Sequence, residues 1–367
     1  MPGVAPIAPR PRDCDASVPE LSIRMNQIRP ADAALTDWRQ AALRFEAEIA
    51  KAVVGQERAI RLVTIAIFAR GHVLLEGDVG VGKTTLLRAV ARALGGAYER
   101  VEGTVDMMPA DLIYHTYLAE DGRPRIEPGP VLRRSQDLSV FFFNEINRAR
   151  PQVHSLLLRL MAERSVQAFD REYRFPHLQV FADRNRVERE ETFELPAAAR
   201  DRFLMEIGME APTDPALRRS LAFDPRFHDT DTLVAEVAAD VIDQGAVAGI
   251  AAALQHGIHA SPALEDYVVR LWSAVREPAK AGISLPDVAM ESLVQGGASP
   301  RGIAFLIRAA RVRAWLEGRD VLLPEDLRAV FHETMAHRIF LEPVYEMRRE
   351  RIVPEFCRAV LATVPAP

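Results

Sequence analysis

The sequence predicts an α/β chain, a parallel sheet followed by a smaller all-helical domain, and three observations carry that reading. Short apolar runs at 71–77, 138–143 and 178–182 have the length and character of strands buried on both faces. Helix-like stretches at 37–69 and 83–94 alternate with them, as a parallel sheet with right-handed crossovers requires. After Pro212 the pattern becomes helical throughout, which places a domain boundary in the stretch Glu-Ala-Pro-Thr-Asp-Pro at 210–215.

The elements follow in order. Residues 1–36 hold Pro2, Pro6, Pro9, Pro11, Pro19 and Pro30 with little periodicity and read as a poorly ordered arm. A sheet-bearing domain is expected over 37–211 and a helical domain over 212–367. The first helical stretch is broken by Val-Val-Gly-Gln at 53–56, and the second stops at Gly95-Gly96. Two hairpin inserts interrupt the α/β layout, one turning at Asp121-Gly122 and one at Asp170-Arg171. Beyond the boundary, 233–258, 262–275, 301–317 and 324–339 read as amphipathic helices. Gly318 stops one of them, and Pro324 suits the first turn of the next.

Bulk properties exclude several classes. With 367 residues and 49% hydrophobic content, the chain can bury the core of two domains. A net charge of −5 gives no support to a nucleic-acid surface. Cys14 and Cys357, the two cysteines, imply neither a disulfide framework nor a metal cluster. No apolar run approaches about 18 residues, and the N-terminus lacks a charged stretch followed by an apolar one, so a cytoplasmic protein without membrane insertion is expected. No histidine pair at helical spacing flanks a glutamate, and no Gly-x-Ser-x-Gly occurs, which removes zinc hydrolases and serine hydrolases.

The chemistry-bearing stretch is Gly77-Asp78-Val79-Gly80-Val81-Gly82-Lys83-Thr84-Thr85, a complete phosphate-loop pattern between a strand and a helix. Its glycines let backbone N–H groups turn toward phosphate oxygens, and the helix N-terminus adds partial positive charge. Lys83 is expected on the β- and γ-phosphates of ATP, and the Thr84 hydroxyl on Mg2+. Such sites need a second strand bearing an acid near the metal and a residue that orients attacking water. The stretch Val-Phe-Phe-Phe-Asn-Glu-Ile at 140–146 supplies the strand, with Glu145 as general base and Asn144 at the metal-side position.

Together with this loop, Val-Val-Gly-Gln at 53–56, Val-Asp-Met-Met-Pro-Ala-Asp-Leu-Ile at 105–113, Glu-Pro-Gly-Pro-Val-Leu at 127–132, the block at 141–166, Leu-Pro-Ala-Ala-Ala-Arg-Asp-Arg-Phe at 195–203 and Gly-Ala-Ser-Pro-Arg-Gly at 297–302 stand in the order found in the MoxR family of AAA+ ATPases. From about Val53 onward the chain resembles that family, and the Asn-Glu-Ile-Asn-Arg block is similar to its methanol-dehydrogenase-associated branch. The resemblance implies that Val54, Gly55 and Gln56 lie near adenine and that Asn185 is sensor 1. It also implies that Arg202 is an arginine finger for a neighbouring subunit's ATP and that Arg301 is sensor 2, where the helical lid meets the γ-phosphate. It further implies a ring, expected to be a hexamer, a separate partner bearing a von Willebrand factor A domain, and a protein client, with the hairpins at about 112–127 and 165–176 facing pore or partner.

Four departures from the family pattern matter. Asn144 replaces an Asp, Asp183-Arg184-Asn185-Arg186 replaces Thr-Gln-Asn-Pro, Ala197 replaces a Glu, and residues near 279–295 look inserted. Asparagine keeps a carbonyl acceptor for a metal-bound water but loses charge, a change typically costing about 10–100-fold in metal affinity or activity. A slow, magnesium-hungry ATPase that remodels, matures or activates a client such as methanol dehydrogenase is therefore expected. The alternatives are an ATP-gated scaffold with negligible hydrolysis and a motor for another metalloenzyme, such as rubisco or nitric oxide reductase. Arg148 is equally compatible with a bridge to a neighbouring subunit and with a solvated helix cap.

Overall fold

A computed structural model describes residues 29–185 and 193–367. The sheet-bearing part runs α1 (Arg29–Ala52), α2 (Glu57–Phe68), β1 (His72–Gly77), α3 (Lys83–Leu94), β2 (Ala97–Glu102), α4 (Pro109–Ile113), β3 (Tyr114–Leu118), β4 (Pro124–Pro128), α5 (Pro130–Arg133), β5 (Leu138–Asn144), α6 (Pro151–Glu163), β6 (Ser165–Ala168), β7 (Arg171–Arg174), β8 (Gln179–Asn185), α7 (Ala197–Arg200) and β9 (Phe203–Met209). Helices α8 (Pro215–Phe223), α9 (Thr230–Glu236), α10 (Gln244–Gly257), α11 (Pro262–Arg276), α12 (Pro300–Leu316), α13 (Pro324–Met335), α14 (Pro343–Glu346) and α15 (Arg349–Thr363) follow. Between α11 and α12, a short strand, Val294–Gly296, pairs with Phe340–Leu341.

The central sheet has the order β2-β5-β8-β1-β9, and every pairing in it is parallel. Because strand side chains alternate between faces, each strand feeds two cores. Val73, Leu75, Phe142 and Phe181 enter a core shared with α1, α2, α3 and the later helices. Leu74, Phe141, Phe143 and Val180 point the other way, against residues of α6 such as Val153 and Leu157. Each such buried apolar side chain stabilises the fold by about 1.5–3 kcal/mol.

Several expectations need correction. The first 28 residues of the expected arm lie outside the described residues, as does Arg186. The first helix, however, begins at Arg29, ahead of the expected start at Asp37. Five strands form the central sheet where three were expected. The two missed strands are its edges, and β2 carries three charged residues (Glu99, Arg100, Glu102), which hide the apolar signal. The second hairpin turns one residue early, at Phe169-Asp170, both with positive φ, as a tight hairpin turn demands.

The helix expected over 233–258 is two helices. Between them the chain bonds instead to the end of α3: Asp240 and Val241 N–H donate to the Arg92 and Ala93 carbonyls at 3.1 and 2.8 Å. Those carbonyls are among the acceptors a helix end leaves unpaired, so tertiary bonding outweighs helical continuity here. Residues 215–223 and 349–363 are further helices that sequence periodicity left unmarked. Cys357 is a free, buried thiol.

Candidate active site

The phosphate-loop segment leaves β1 at Gly77 and enters α3 at Lys83. Gly80 and Gly82 adopt φ of +82° and +92°, left-handed values that side chains resist, and nothing lies within 4 Å of where a Cβ would stand on either. The loop therefore stands open at the carboxyl end of the sheet, where parallel α/β sheets bind ligands. Lys83 is buried, and its ammonium donates to the Gly77 and Asp78 carbonyls at 2.7 and 3.0 Å and to Asn185 Oδ1 at 2.7 Å. An ammonium held by neutral oxygens can exchange them for phosphate oxygens, so the lysine fits a nucleotide di- or triphosphate. Thr84 and Thr85 are half-buried in the first turn of α3, while Asp78, Val79 and Gly80 are exposed at the loop's rim.

Strands β5 and β8 bring three more polar groups to the same end. Glu145 has φ 52° and ψ 51°, a left-handed conformation that a non-glycine residue holds at about 1–3 kcal/mol. Its carboxylate accepts from Asn185 Nδ2 at 3.3 Å and pairs with Arg148 at 3.0 Å. Arg148 thus contacts the expected base directly, which spacing alone did not reveal. Gly103 lets β2 approach: its N–H donates to the Asn144 carbonyl at 2.8 Å, and a Cβ there would lie 2.4 Å from the Glu145 carbonyl oxygen.

The residue that sequence reading noted only as a departure, Asp183, lies at the middle of this cluster. One carboxylate oxygen accepts the Glu145 N–H at 2.5 Å. The Asn144 amide nitrogen, in the orientation that satisfies both groups, donates to the two carboxylate oxygens at 3.2 Å each. Lys83 stands 3.9 Å away. Burial pushes the Asp183 carboxyl up to about 6, against the opposing hydrogen bond from Glu145 and the attraction of Lys83. Asn144 is itself buried, so its amide faces Asp183 rather than solvent.

The expected adenine residues border a separate cleft of about 430 Å³, lined by Gly55, Gln56, Glu76, Glu210 and Pro212. Gln56 donates to the Glu210 carbonyl at 2.7 Å, and a Cβ on Gly55 would lie 2.9 Å from Pro212. Val54 is half-buried beside them in sequence.

The two arginines are elsewhere. Arg301, expected where the lid meets the γ-phosphate, lies with Arg202 at the amino end of the sheet. Both line a cavity of about 200 Å³ with Arg70, His72, Arg164 and Arg308. His72 begins the strand that ends at Gly77, so the length of β1, roughly 16 Å at about 3.3 Å per residue, separates this cavity from the phosphate loop. Asp201 holds it there. This aspartate pairs with Arg301 at 2.7 Å, accepts from Ser299 Oγ at 2.8 Å and pairs with the buried Arg338 at 3.1 Å, fastening the start of α12 beside Arg202. Burial first, then mutual repulsion, lowers the pKa of Arg164 to about 10, and Arg308 is lowered for the same reasons.

Among the described residues no cluster of His, Cys, Asp or Glu forms a metal site of its own, and no helix is long and apolar enough to cross a membrane. The family model for ATPases associated with various cellular activities matches residues 72–205, and that for the AAA lid domain matches 288–356. The chain is 79% identical to Protein MoxR of Methylorubrum extorquens over 343 residues, covering 94% of this chain and 100% of that one. It is 34% identical to Chaperone MoxR1 of Mycobacterium tuberculosis over 326 residues, 87% and 81% of the respective chains. A crystal structure from Cytophaga hutchinsonii, described as a candidate ATPase, superposes with a TM-score of 0.79 at 29% identity, covering 93% of this chain and 99% of that one.

Proposed function

The chain belongs to the MoxR family of AAA+ ATPases, and from that premise we propose that it hydrolyses ATP at the interfaces of a ring of its own copies, a hexamer, to remodel a protein client. The observation that carries this reading is the separation of the site into two halves. Lys83, Glu145 and Asn185 are in contact at one end of the sheet, and Arg202 and Arg301 share an arginine-lined cavity at the other. A cavity with five arginines and no phosphate loop of its own suits the nucleotide of a neighbouring subunit.

In this reading the loop amides and Lys83 hold the phosphates, Lys83 exchanging its carbonyl contacts for phosphate oxygens. Val54, Gly55 and Gln56 take the adenine. Glu145 orients the attacking water and accepts its proton, while Asn185 holds both Glu145 and the γ-phosphate end. Arg202 and Arg301 meet the charge that develops on the neighbour's phosphoryl group. Thr84 and the acidic end of β5 and β8 would hold magnesium, whose charge would offset that of the phosphates.

The client reading draws on the chaperone name of the mycobacterial relative and on the apolar side chains that the hairpins expose. Tyr117, Leu118, Ile126 and Phe169 are all solvent-facing, an unusual concentration for a surface without a partner. Methanol dehydrogenase, reached through a separate protein with a von Willebrand factor A domain, is the client we favour. Steady-state ATPase measured across protein concentration tests the ring: the rate per subunit should climb as subunits assemble, and a flat rate from dilute chain upward overturns it. Asn144 favours a second reading, an ATP-gated scaffold, and the slow turnover expected from Asn144 holds only if no neighbouring carboxylate replaces its charge. Phosphate release that Glu145→Gln abolishes rejects the scaffold.

A further inference from the structure

We propose that Asp183 is the carboxylate that supplies negative charge to the magnesium ion of the bound nucleotide, with Asn144 as the neutral partner that positions it. The assignment rests on the nucleotide reading above and adds to it a residue from a different strand. In the sheet, β8 lies between β1, which leads into the phosphate loop, and β5, which carries Glu145. Phe143 pairs with Ala182, so Asn144 and Asp183 are the next neighbours across these strands. Each follows by two a residue, Phe142 or Phe181, that enters the core containing α3, so both face the side on which Lys83 and Thr84 begin that helix.

Asp183 is 2% exposed, and a buried carboxylate costs several kcal/mol unless charge compensates it. Of the two cations that act on it, Arg100 has the weaker influence, and Lys83 is 3.9 Å away and already donates to three other oxygens at 2.7 to 3.0 Å. Asn144 and the Glu145 N–H are neutral donors, which orient the carboxylate without cancelling its charge. A divalent cation beside the phosphates would supply what is missing.

The same geometry explains why residue 144 is an asparagine. An aspartate there would put a second carboxylate in contact with Asp183, and like charges this close cannot both stay ionised. One strand carries the charge and the other an amide that donates to it. A purely structural Asp183, tying β5 to β8, would work as well with an amide in its place, because an asparagine oxygen still accepts the Glu145 N–H.

The test is Mn2+ binding to the full chain in the presence of ADP, followed by electron paramagnetic resonance, with metal-free ADP binding as the control. In Asp183→Asn, Mn2+ affinity should fall about 10–100-fold while metal-free ADP binding stays near that of the unmodified chain. Adding Asn144→Asp to that variant should return most of the lost affinity. Mn2+ binding unchanged in Asp183→Asn overturns the assignment. Should that variant not fold, the exchanged pair decides: near-normal Mn2+ affinity supports the assignment, and loss of tenfold or more overturns it. If the unmodified chain binds no ADP with or without metal, the nucleotide reading fails and takes this assignment with it. Intact ADP binding with indifferent Mn2+ affinity sinks the assignment alone.

Discussion

The two ends of the central sheet are built from opposite materials. At the carboxyl end, Asp183 and Glu145 sit among amides and backbone N–H groups, with Lys83 and Arg148 as the cations beside them. At the amino end, Arg70, Arg164, Arg202, Arg301 and Arg308 line one cavity, and Asp201, fastened to Arg301 and Arg338, is the acid bonded at its edge. In the proposed reading one end takes a phosphate chain and its metal. The other takes the charge a departing phosphoryl group presents. A reaction needing both requires either that the ends move together or that two copies of the chain share the site, and a sheet with hydrophobic cores on both faces does not fold back on itself.

The strongest way to break this comparison is to disable the ends separately. Arg202→Ala should lower turnover by about 10³–10⁵-fold, the range for arginine fingers, and Glu145→Gln by about 10²–10⁴-fold, the range for a general base. Mixed together, the two inactive variants should recover activity, because some interfaces then pair an intact Glu145 with an intact Arg202. A mixture no more active than its parents would mean that both ends serve one subunit.

The next effect concerns the fastening at the amino end. Asp201→Ala leaves the buried guanidinium of Arg338 without its carboxylate, and breaking a buried pair in this way costs about 3–5 kcal/mol. Denaturant unfolding should show that loss, and a midpoint close to the unmodified chain's would mean that α12 is held by packing alone.

A smaller, graded effect follows from His72 in the same wall. Its Nδ1 accepts from the Val180 N–H and its Nε2 lies 3.0 Å from the Met161 carbonyl, so the ring is fixed as the neutral tautomer. Burial foremost, with Arg164, Arg308 and Arg70 repelling a proton, lowers its pKa to about 3. The folded chain therefore refuses a proton that the unfolded chain accepts below about 6.5. Stability from this group is complete above that pH and should fall by about 1.4 kcal/mol for each unit of acidification toward 3. Urea unfolding at successive pH values, with and without His72→Gln, isolates the slope, and identical slopes would deny His72 its part.

What the sequence made legible was local. The phosphate loop, the strand before it and α3 are consecutive in the chain, so glycine placement and periodicity mark them directly. The pairing of Asn144 with Asp183 depends on which strand lies beside which, and neither residue's neighbours in sequence announce it. Each read separately as a departure from the family pattern, and only the register of β5 against β8 brings them side by side. Which end of the sheet Arg301 faces depends on the fold in a similar way. Its motif is recognisable, but the site it faces is decided by where Asp201 fastens α12. Helix breaks such as the one between α9 and α10 were hidden because the competing hydrogen-bond partners belong to α3.

The left-handed backbone of Glu145 has a consequence for anyone who alters this protein. Residues that tolerate such a conformation, glycine above all and then asparagine, would relax it. Random variants sorted only for heat resistance would therefore be drawn toward replacing the side chain to which we assign the attacking water. Robustness and work pull against each other at this position, and a hardier descendant of this chain should be assayed for turnover before it is taken for an improvement.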